Sequence, residues 1–202
     1  MDGYYEIGYE EVSGGDKEDN QDDMPERCTY HSHSKGHILK ILLLGSDRIK
    51  EFLESNGDEV TVYNEFLTLY QATTFDYIIS YGYRHILTKE IVDRFRHKAI
   101  NLHISYLPWN RGADPNYWSW KENTPKGVTI HEIDYGIDEG RILAQHFVQM
   151  DDNETLRSSY NKLQVAMVGL FKFKWNSIRG SYHKKSDMPD LPLGWETPVK
   201  DI

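Results

Sequence analysis

Beyond residue 37 the chain alternates between two hydrophobic rhythms. The stretch "ILKILLLG" (38–45) is a short, nearly continuous apolar run ending in glycine, as expected of a strand buried on both faces of a parallel sheet. "SDRIKEFLESNG" (46–57) spaces its apolar residues for a helix, with Ser46 or Asp47 as the cap and Gly57 closing it. The change of rhythm recurs. "EVTVY" predicts a strand, "NEFLTLYQA" a short helix, "FDYIISYG" a strand, "TKEIVDRFR" a helix and "AINLHIS" (99–105) a fourth strand. This succession predicts an α/β fold, a Rossmann-like, mostly parallel twisted sheet flanked by helices. In such sheets ligands collect beyond the carboxyl ends of the strands.

On the fourth strand Asn101 and His103 share parity, so both side chains leave one face while Leu102 and Ile104 leave the other. After "SYLP", the stretch "WNRGADPNYWSW" (109–120) reads as a long aromatic and polar loop of the kind that walls a substrate site. Its expected substrate contacts are Trp109, Arg111, Asn116 and Trp118. "KGVTIHEIDYGIDEGRILAQ" (126–145) follows as strand, glycine-bearing turn and strand, with a buried structural part expected for His131. Behind an Asn153 cap, Leu156, Tyr160, Leu163, Met167 and Leu170 recur at helical spacing in a segment reaching residue 178.

Composition narrows the class. With 202 residues, 39% of them hydrophobic, the chain can bury one sizeable core, which predicts a single domain over 37–202. No apolar run approaches the roughly 18–20 residues that span a bilayer, and the start "MDGYYEIGYEEV" lacks the basic-then-apolar layout of a secretory signal. A cytoplasmic location with no membrane partner is expected. The lone cysteine, Cys28, excludes an internal disulfide and a multi-cysteine zinc site. The net charge of −9 is unevenly placed: residues 1–36 carry ten acidic and three basic side chains without periodicity, predicting an acidic, disordered or irregular extension. The nearly neutral body argues against nucleic acid, whose phosphates draw on Lys and Arg, and for a small-molecule substrate. His31, His33 and His37 lie in a Ser/Gly/Lys linker without a regular element to fix ligand geometry, so no metal site is expected.

At this level the residues carry a resemblance. "NLHISYLPWNRGADPNYWSW", followed by "KGVTIHEIDYGIDEGRILAQ", resembles the core of the folate-dependent formyltransferase family, which includes glycinamide ribonucleotide transformylase, methionyl-tRNA formyltransferase and the sugar N-formyltransferases. The family pattern is Asn-x-His with a following Leu-Pro and, after a loop and a strand, an Asp followed closely by Gly. Those positions are Asn101, His103, Leu107, Pro108, Asp138 and Gly140 here, and "YGYRHIL" (81–87) is similar to the family's third-strand segment. The similarity covers most of residues 38–180. It implies the formyltransferase fold, 10-formyltetrahydrofolate as formyl donor without a metal, and Asn101, His103 and Asp138 as the catalytic residues. It further implies folate contacts from Tyr83, Arg84, Ile86 and Leu87, and from Asp134, Tyr135, Gly136 and Ile137. The residues themselves leave plainer roles open: core packing for Tyr83 and Ile86, an ion pair of Arg84 with Asp93, a turn start for Asp134. "RGSYHKKSD" resembles a segment of the sugar N-formyltransferases, and Tyr182 and His183 either border the site or form a solvated turn.

Formyl transfer to an amine passes through a tetrahedral intermediate whose oxygen carries negative charge, so a fixed donor there contributes a few kcal/mol. Asn101 can supply one. His103 can donate when protonated, a form that a nearby Asp138 carboxylate favours, and the Asp138–His103 pair, directly or through water, would take the amine's proton. "GSDRIKEF" has one Gly where glycinamide ribonucleotide transformylase has a glycine-rich phosphate loop, and the residues after 150 offer too little length and charge for a tRNA-binding domain. The shorter stretch before Asn101 weighs against a large nucleotide. The expectation is an N-formyltransferase acting on the amino group of a nucleotide-linked amino sugar, with a homodimer allowed. Formyl transfer to glycinamide ribonucleotide or another small amine is one alternative, and a non-catalytic folate- or amino-sugar-binding protein the other.

Overall fold

The computed structural model of the protein describes residues 37–181. The acidic extension 1–36, with Cys28, His31 and His33, and the pair Tyr182 and His183 lie outside the described residues. The strands are β1 (Lys40–Gly45), β2 (Glu59–Tyr63), β3 (Tyr77–Tyr81), β4 (Ala99–His103), β5 (Gly127–Glu132) and β6 (Ile142–Phe147). The helices are α1 (Lys50–Ser55), α2 (Leu69–Ala72), α3 (Lys89–Arg94), α4 (Pro115–Lys121) and α5 (Leu156–Ser181). One sheet takes all six strands in the order β2-β1-β3-β4-β5-β6, the first four parallel and the last two pairings antiparallel. The α/β, mostly parallel architecture expected from the alternating rhythms is the one observed.

Period-two alternation on the central strands divides the core in two. Ile41 and Leu43 of β1, Tyr77 and Ile79 of β3, Ile100 and Leu102 of β4 and Val128 and Ile130 of β5 pack with α1 and α5 on one face. Leu42, Leu44, Ile78 and Ala99 pack with Leu67, Ala72, Ile91 and Phe95 on the other. Strands β1 and β3 are therefore almost wholly buried, which is why their sequences read as continuous apolar runs. On β4 the apolar position Ala99 gives way to Asn101 and His103 along the same face, so the polar pair continues the core row into the site.

Helix α5 corrects the expected stripe. Its buried apolar positions are Leu163, Met167, Phe171, Trp175 and Ile178, spaced by four and three residues, whereas Leu156 and Tyr160 are half-exposed and Leu170 only partly buried. The first turn of the helix overhangs a cavity rather than the sheet, so its apolar residues have no core to enter. The cap also moves: Thr155 and Ser158 exchange backbone-to-hydroxyl bonds of 3.1 and 2.9 Å, doing the work expected of Asn153. At the far end Arg179 grips the buried Asp58 carboxylate with both guanidinium arms, at 2.9 and 3.1 Å, which ties the last turns to the start of β2. Helices α1 and α2 are shorter than the apolar pattern suggested. The α2 cap is a Thr68–Gln71 capping box, which starts the helix only at Leu69.

Trp175 is fully buried against Tyr77 and Phe171, with ring centroids at 5.6 and 5.3 Å. Trp175→Ala is expected to lower the unfolding free energy by about 3–5 kcal/mol, because the sheet beneath cannot collapse into the void. Urea denaturation followed by far-ultraviolet circular dichroism measures it.

Candidate active site

A cavity of about 1090 Å³ opens at the carboxyl ends of β3 and β4. Its walls come from Tyr81–Leu87 after β3, from Asn101–Ile104, from the loop and start of α4 at Gly112–Tyr117, from Ile133–Asp138 after β5, and from Leu156, Arg157, Tyr160 and Gln164 of α5. All eight residues expected to touch folate line it: Tyr83, Arg84, Ile86 and Leu87 on one side, and Asp134, Tyr135, Gly136 and Ile137 on the other. Ile86, Tyr135 and Ile137 are 70%, 54% and 37% exposed there. The Tyr83 hydroxyl is occupied in folding, donating to the Glu65 carbonyl at 2.5 Å and accepting Leu67 N–H at 3.1 Å. Asp93 Oδ1 accepts a short hydrogen bond from the Tyr135 hydroxyl, while Arg84 lies on the cavity wall. Asp134 accepts the Tyr135 N–H at 2.8 Å and so also holds the turn.

Asn101, His103 and Asp138 meet on the cavity floor. Asn101 Nδ2 donates to Asp138 Oδ1 at 3.0 Å, and His103 Nδ1 lies 3.5 Å from Asp138 Oδ2. His103 Nε2 donates to the Asn110 carbonyl at 3.1 Å, and the Gly112 N–H donates to Asp138 Oδ2 at 2.8 Å. The loop after β4 thus grips both partners. A fourth member joins them: His131, expected to be structural, is 2% exposed and sets Nε2 at 3.2 Å from Asp138 Oδ1 and 3.3 Å from Asn101 Nδ2. It is the antiparallel cross-strand partner of Asn101. The hint in the sequence is its parity within "VTIHEI", opposite to Val128 and Ile130, but the β4–β5 register that makes it a neighbour of Asn101 cannot be read from the strand alone.

Burial sets the electrostatics. It would raise the Asp138 carboxyl, but the charges and bonds of His103 and His131 and the Gly112 N–H outweigh it and hold the group well below the usual carboxylate range. For His103 the balance goes the other way. Desolvation of its wholly buried ring dominates, and although Asp138 pulls upward, the imidazole stays below its ordinary value of 6.5. The expectation that the carboxylate favours a charged His103 is therefore corrected: desolvation outweighs its pull and favours the neutral ring beside an ionised Asp138. Tyr81, on the same floor, donates a short hydrogen bond to Gln164, and burial pushes its hydroxyl up to about 12.

Of the expected substrate contacts, only Asn116 lines the cavity, bonded to the Leu156 carbonyl at 2.8 Å and to Ser159 at 3.1 Å. The stretch 109–120 is not one long loop. Pro115 begins α4, and the helix's 100° step per residue aims Asn116 and Tyr117 at the cavity but turns Trp118 away, beneath Lys121 Nζ at 4.4 Å. Trp109 stacks on Tyr106 outside the cavity. Arg111 is buried with its guanidinium 2.6 Å from Glu139, so it ties the loop to the turn that carries Asp138.

The turn is drawn tight at Gly140, where an added Cβ would sit 1.7 Å from the Glu132 carbonyl oxygen. Gly140→Ala is expected to push the turn off β5 and displace Asp138. The measurement is the imidazole titration of His103 by NMR, which should move to lower pH as the carboxylate withdraws, while the far-ultraviolet spectrum is kept.

Residues 40–171 match the family model described as formyl transferase. Among solved structures, the formyltransferase PseJ from Anoxybacillus kamchatkensis, in complex with UDP-4,6-dideoxy-4-formamido-L-AltNAc and tetrahydrofolate, is 47% identical, with a TM-score of 0.73 over 80% of this chain and 85% of that one. An N-formyltransferase from Helicobacter canadensis, solved with folinic acid and dTDP-3-aminofucose, is 24% identical, with a TM-score of 0.63 over 72% and 65% of the two chains, and shows the same fold. A methionyl-tRNA formyltransferase from Finegoldia magna is 31% identical over 143 residues, 68% of this chain and 45% of its own length. This chain thus spans less than half of that curated relative.

Proposed function

Because the chain belongs to the formyl transferase family, we propose that it moves a formyl group from 10-formyltetrahydrofolate to the primary amine of a nucleotide-linked amino sugar. The observation that carries this reading is the Asn101–His103–Asp138 cluster on the floor of a cavity large enough for two small molecules. The PseJ structure, whose ligands are a formamido sugar nucleotide and tetrahydrofolate, supports the choice of acceptor at 47% identity. A binding protein without chemistry would not need a buried carboxylate held ionised beside a neutral imidazole.

The walls fit the donor. Ile86 and Ile137 leave apolar surface exposed along the cavity, with the half-exposed Tyr135 ring beside them, as a flat ring requires, while the backbone of 83–87 and 134–138 offers polar groups at its edges. When bound, the folate supplies an activated formyl carbonyl open to attack by an amine. The other end of the cavity, lined by Tyr117, Leu156, Arg157 and Tyr160, would receive the acceptor, with Asn116 holding α4 against α5.

Each floor residue has a distinct task. Asn101 Nδ2 presents an N–H to the oxygen that gains negative charge. Neutral His103 is the group able to take up the proton that the amine loses, and Asp138, 3.5 Å from Nδ1, stabilises the imidazolium so formed. The carboxylate need not itself be protonated, in keeping with its depressed pKa.

Asn101→Ala and His103→Ala should each lower turnover by about two orders of magnitude with folding kept. Tetrahydrofolate release, measured against a panel of 4-amino-4,6-dideoxyhexose nucleotides and glycinamide ribonucleotide, tests both the reaction and the acceptor. Turnover only with glycinamide ribonucleotide would reassign the acceptor, and near wild-type rates in the variants would remove the catalytic roles.

A pH profile follows from the His103 shift. A base must be neutral to act, so the acid limb of kcat should fall below pH 6.5, where the buried ring finally protonates. Asp138→Asn removes the charge that opposes desolvation and should move that limb lower still while reducing kcat.

A further inference from the structure

His131 is buried, titratable and unused in the reaction as described above. Its Nδ1 lies 2.7 Å from the Glu132 carbonyl oxygen, which can only accept, so Nδ1 carries a hydrogen. Its Nε2 faces Asp138 Oδ1 at 3.2 Å and Asn101 Nδ2 at 3.3 Å, and those two atoms are 3.0 Å apart. An ionised Asp138 oxygen also only accepts, so the nitrogen of the Asn101 amide, not its oxygen, must face it.

These three atoms form a nearly equilateral triangle. Asp138 and His131 therefore subtend roughly 60° at the amide nitrogen, half of the roughly 120° between its two N–H bonds. Asn101 cannot donate linearly to both. If Nε2 were bare, its lone pair would face a carboxylate oxygen at 3.2 Å, and the amide would be drawn between the two acceptors. A hydrogen on Nε2 removes the conflict. His131 then donates to Asp138 Oδ1, Asn101 gives one N–H to the same oxygen, and its second N–H points away from the triangle.

We propose that His131 is a positioning residue, an imidazolium paired with Asp138 that fixes the Asn101 amide with one N–H free for the reacting oxygen. The inference rests on the formyl-transfer reading for what that N–H does, but not for the charge of the ring. The titratable groups facing His131 are Asp138, from the β5–β6 turn, and His103, from β4, with ring centroids 6.3 Å apart. From β6 its partner is the apolar Ile142, and α5 packs on the opposite sheet face against Val128 and Ile130. At His103 the corresponding gap is longer: Nε2 donates to the Asn110 carbonyl, and Nδ1 stands 3.5 Å from Asp138 Oδ2, beyond a good hydrogen bond, so that nitrogen is the one left to accept a proton.

Two-bond ¹H–¹⁵N spectra of the full chain read the ring nitrogens directly. The expected result is a His131 ring protonated on both nitrogens at the pH of maximal turnover, and on one only in Asp138→Asn. His131→Gln keeps a donor without the charge. It should lower kcat about tenfold and leave the folate KM unchanged. A singly protonated His131 in the wild type, which needs no variant to observe, would overturn the proposal, as would a His131→Gln enzyme with wild-type kcat. If the wild type formylated no amine, the transferase reading would fall, while the ring spectrum would still decide the charge of His131.

Discussion

The Asp138 carboxylate is the charge around which the cavity floor is arranged. Removed from water, it is held ionised by donors from separate parts of the chain, the Asn101 amide on β4 and the Gly112 N–H of the following loop, with the imidazoles of β4 and β5 beside it. A dehydrated carboxylate with too few donors would take up a proton, and the difference between an acid and a neutral partner in His103 would vanish. Geometry and protonation are thus one problem here. The strands must pair in register for the two histidines to flank the same oxygen pair.

The backbone is bent to reach that arrangement. Asn110, Asp114 and Asp138 all have positive φ, 58°, 44° and 52°, a conformation that costs a residue with a Cβ about 1–2 kcal/mol. Each belongs to a segment at the site. Asn110 presents its carbonyl to His103, Asp114 precedes the helix whose first turn lines the cavity, and Asp138 carries the carboxylate. The Arg111–Glu139 pair joins the two strained segments to each other, and Thr129 anchors the Leu107 N–H at 3.2 Å and the Ser105 carbonyl at 2.7 Å at the loop's root. Local strain of this kind persists only where surrounding bonds over-determine the chain.

The same loop explains how a cavity can be large and its chemistry local. Arg111 sends its charge to the turn rather than to the open volume, and the side of α4 bearing Asn116 leans on α5. The cavity walls are then free to be shaped by apolar and aromatic side chains, while the polar work stays on the floor. Among the described residues no helix is long and apolar enough to cross a membrane, consistent with a core built of short amphipathic elements about one sheet.

Sequence alone determined the elements and the chemistry-bearing residues. Burial on both faces writes itself as continuous apolar strands, helical periodicity marked the α5 segment, and parity on β4 placed Asn101 and His103 on one face, because these patterns depend on neighbours only a few residues away. The Asp138 turn is legible through its motif and not through any local rule. What tertiary structure decided depends on contacts remote in sequence. The antiparallel β4–β5 register made His131 a neighbour of Asn101; the helical start at Pro115 turned Trp118 out of the cavity; a partner 28 residues away claimed Arg111. The direction of the His103 shift has the same origin, since desolvation is a property of the packed environment, and it is opposite to the one that a nearby carboxylate alone suggests.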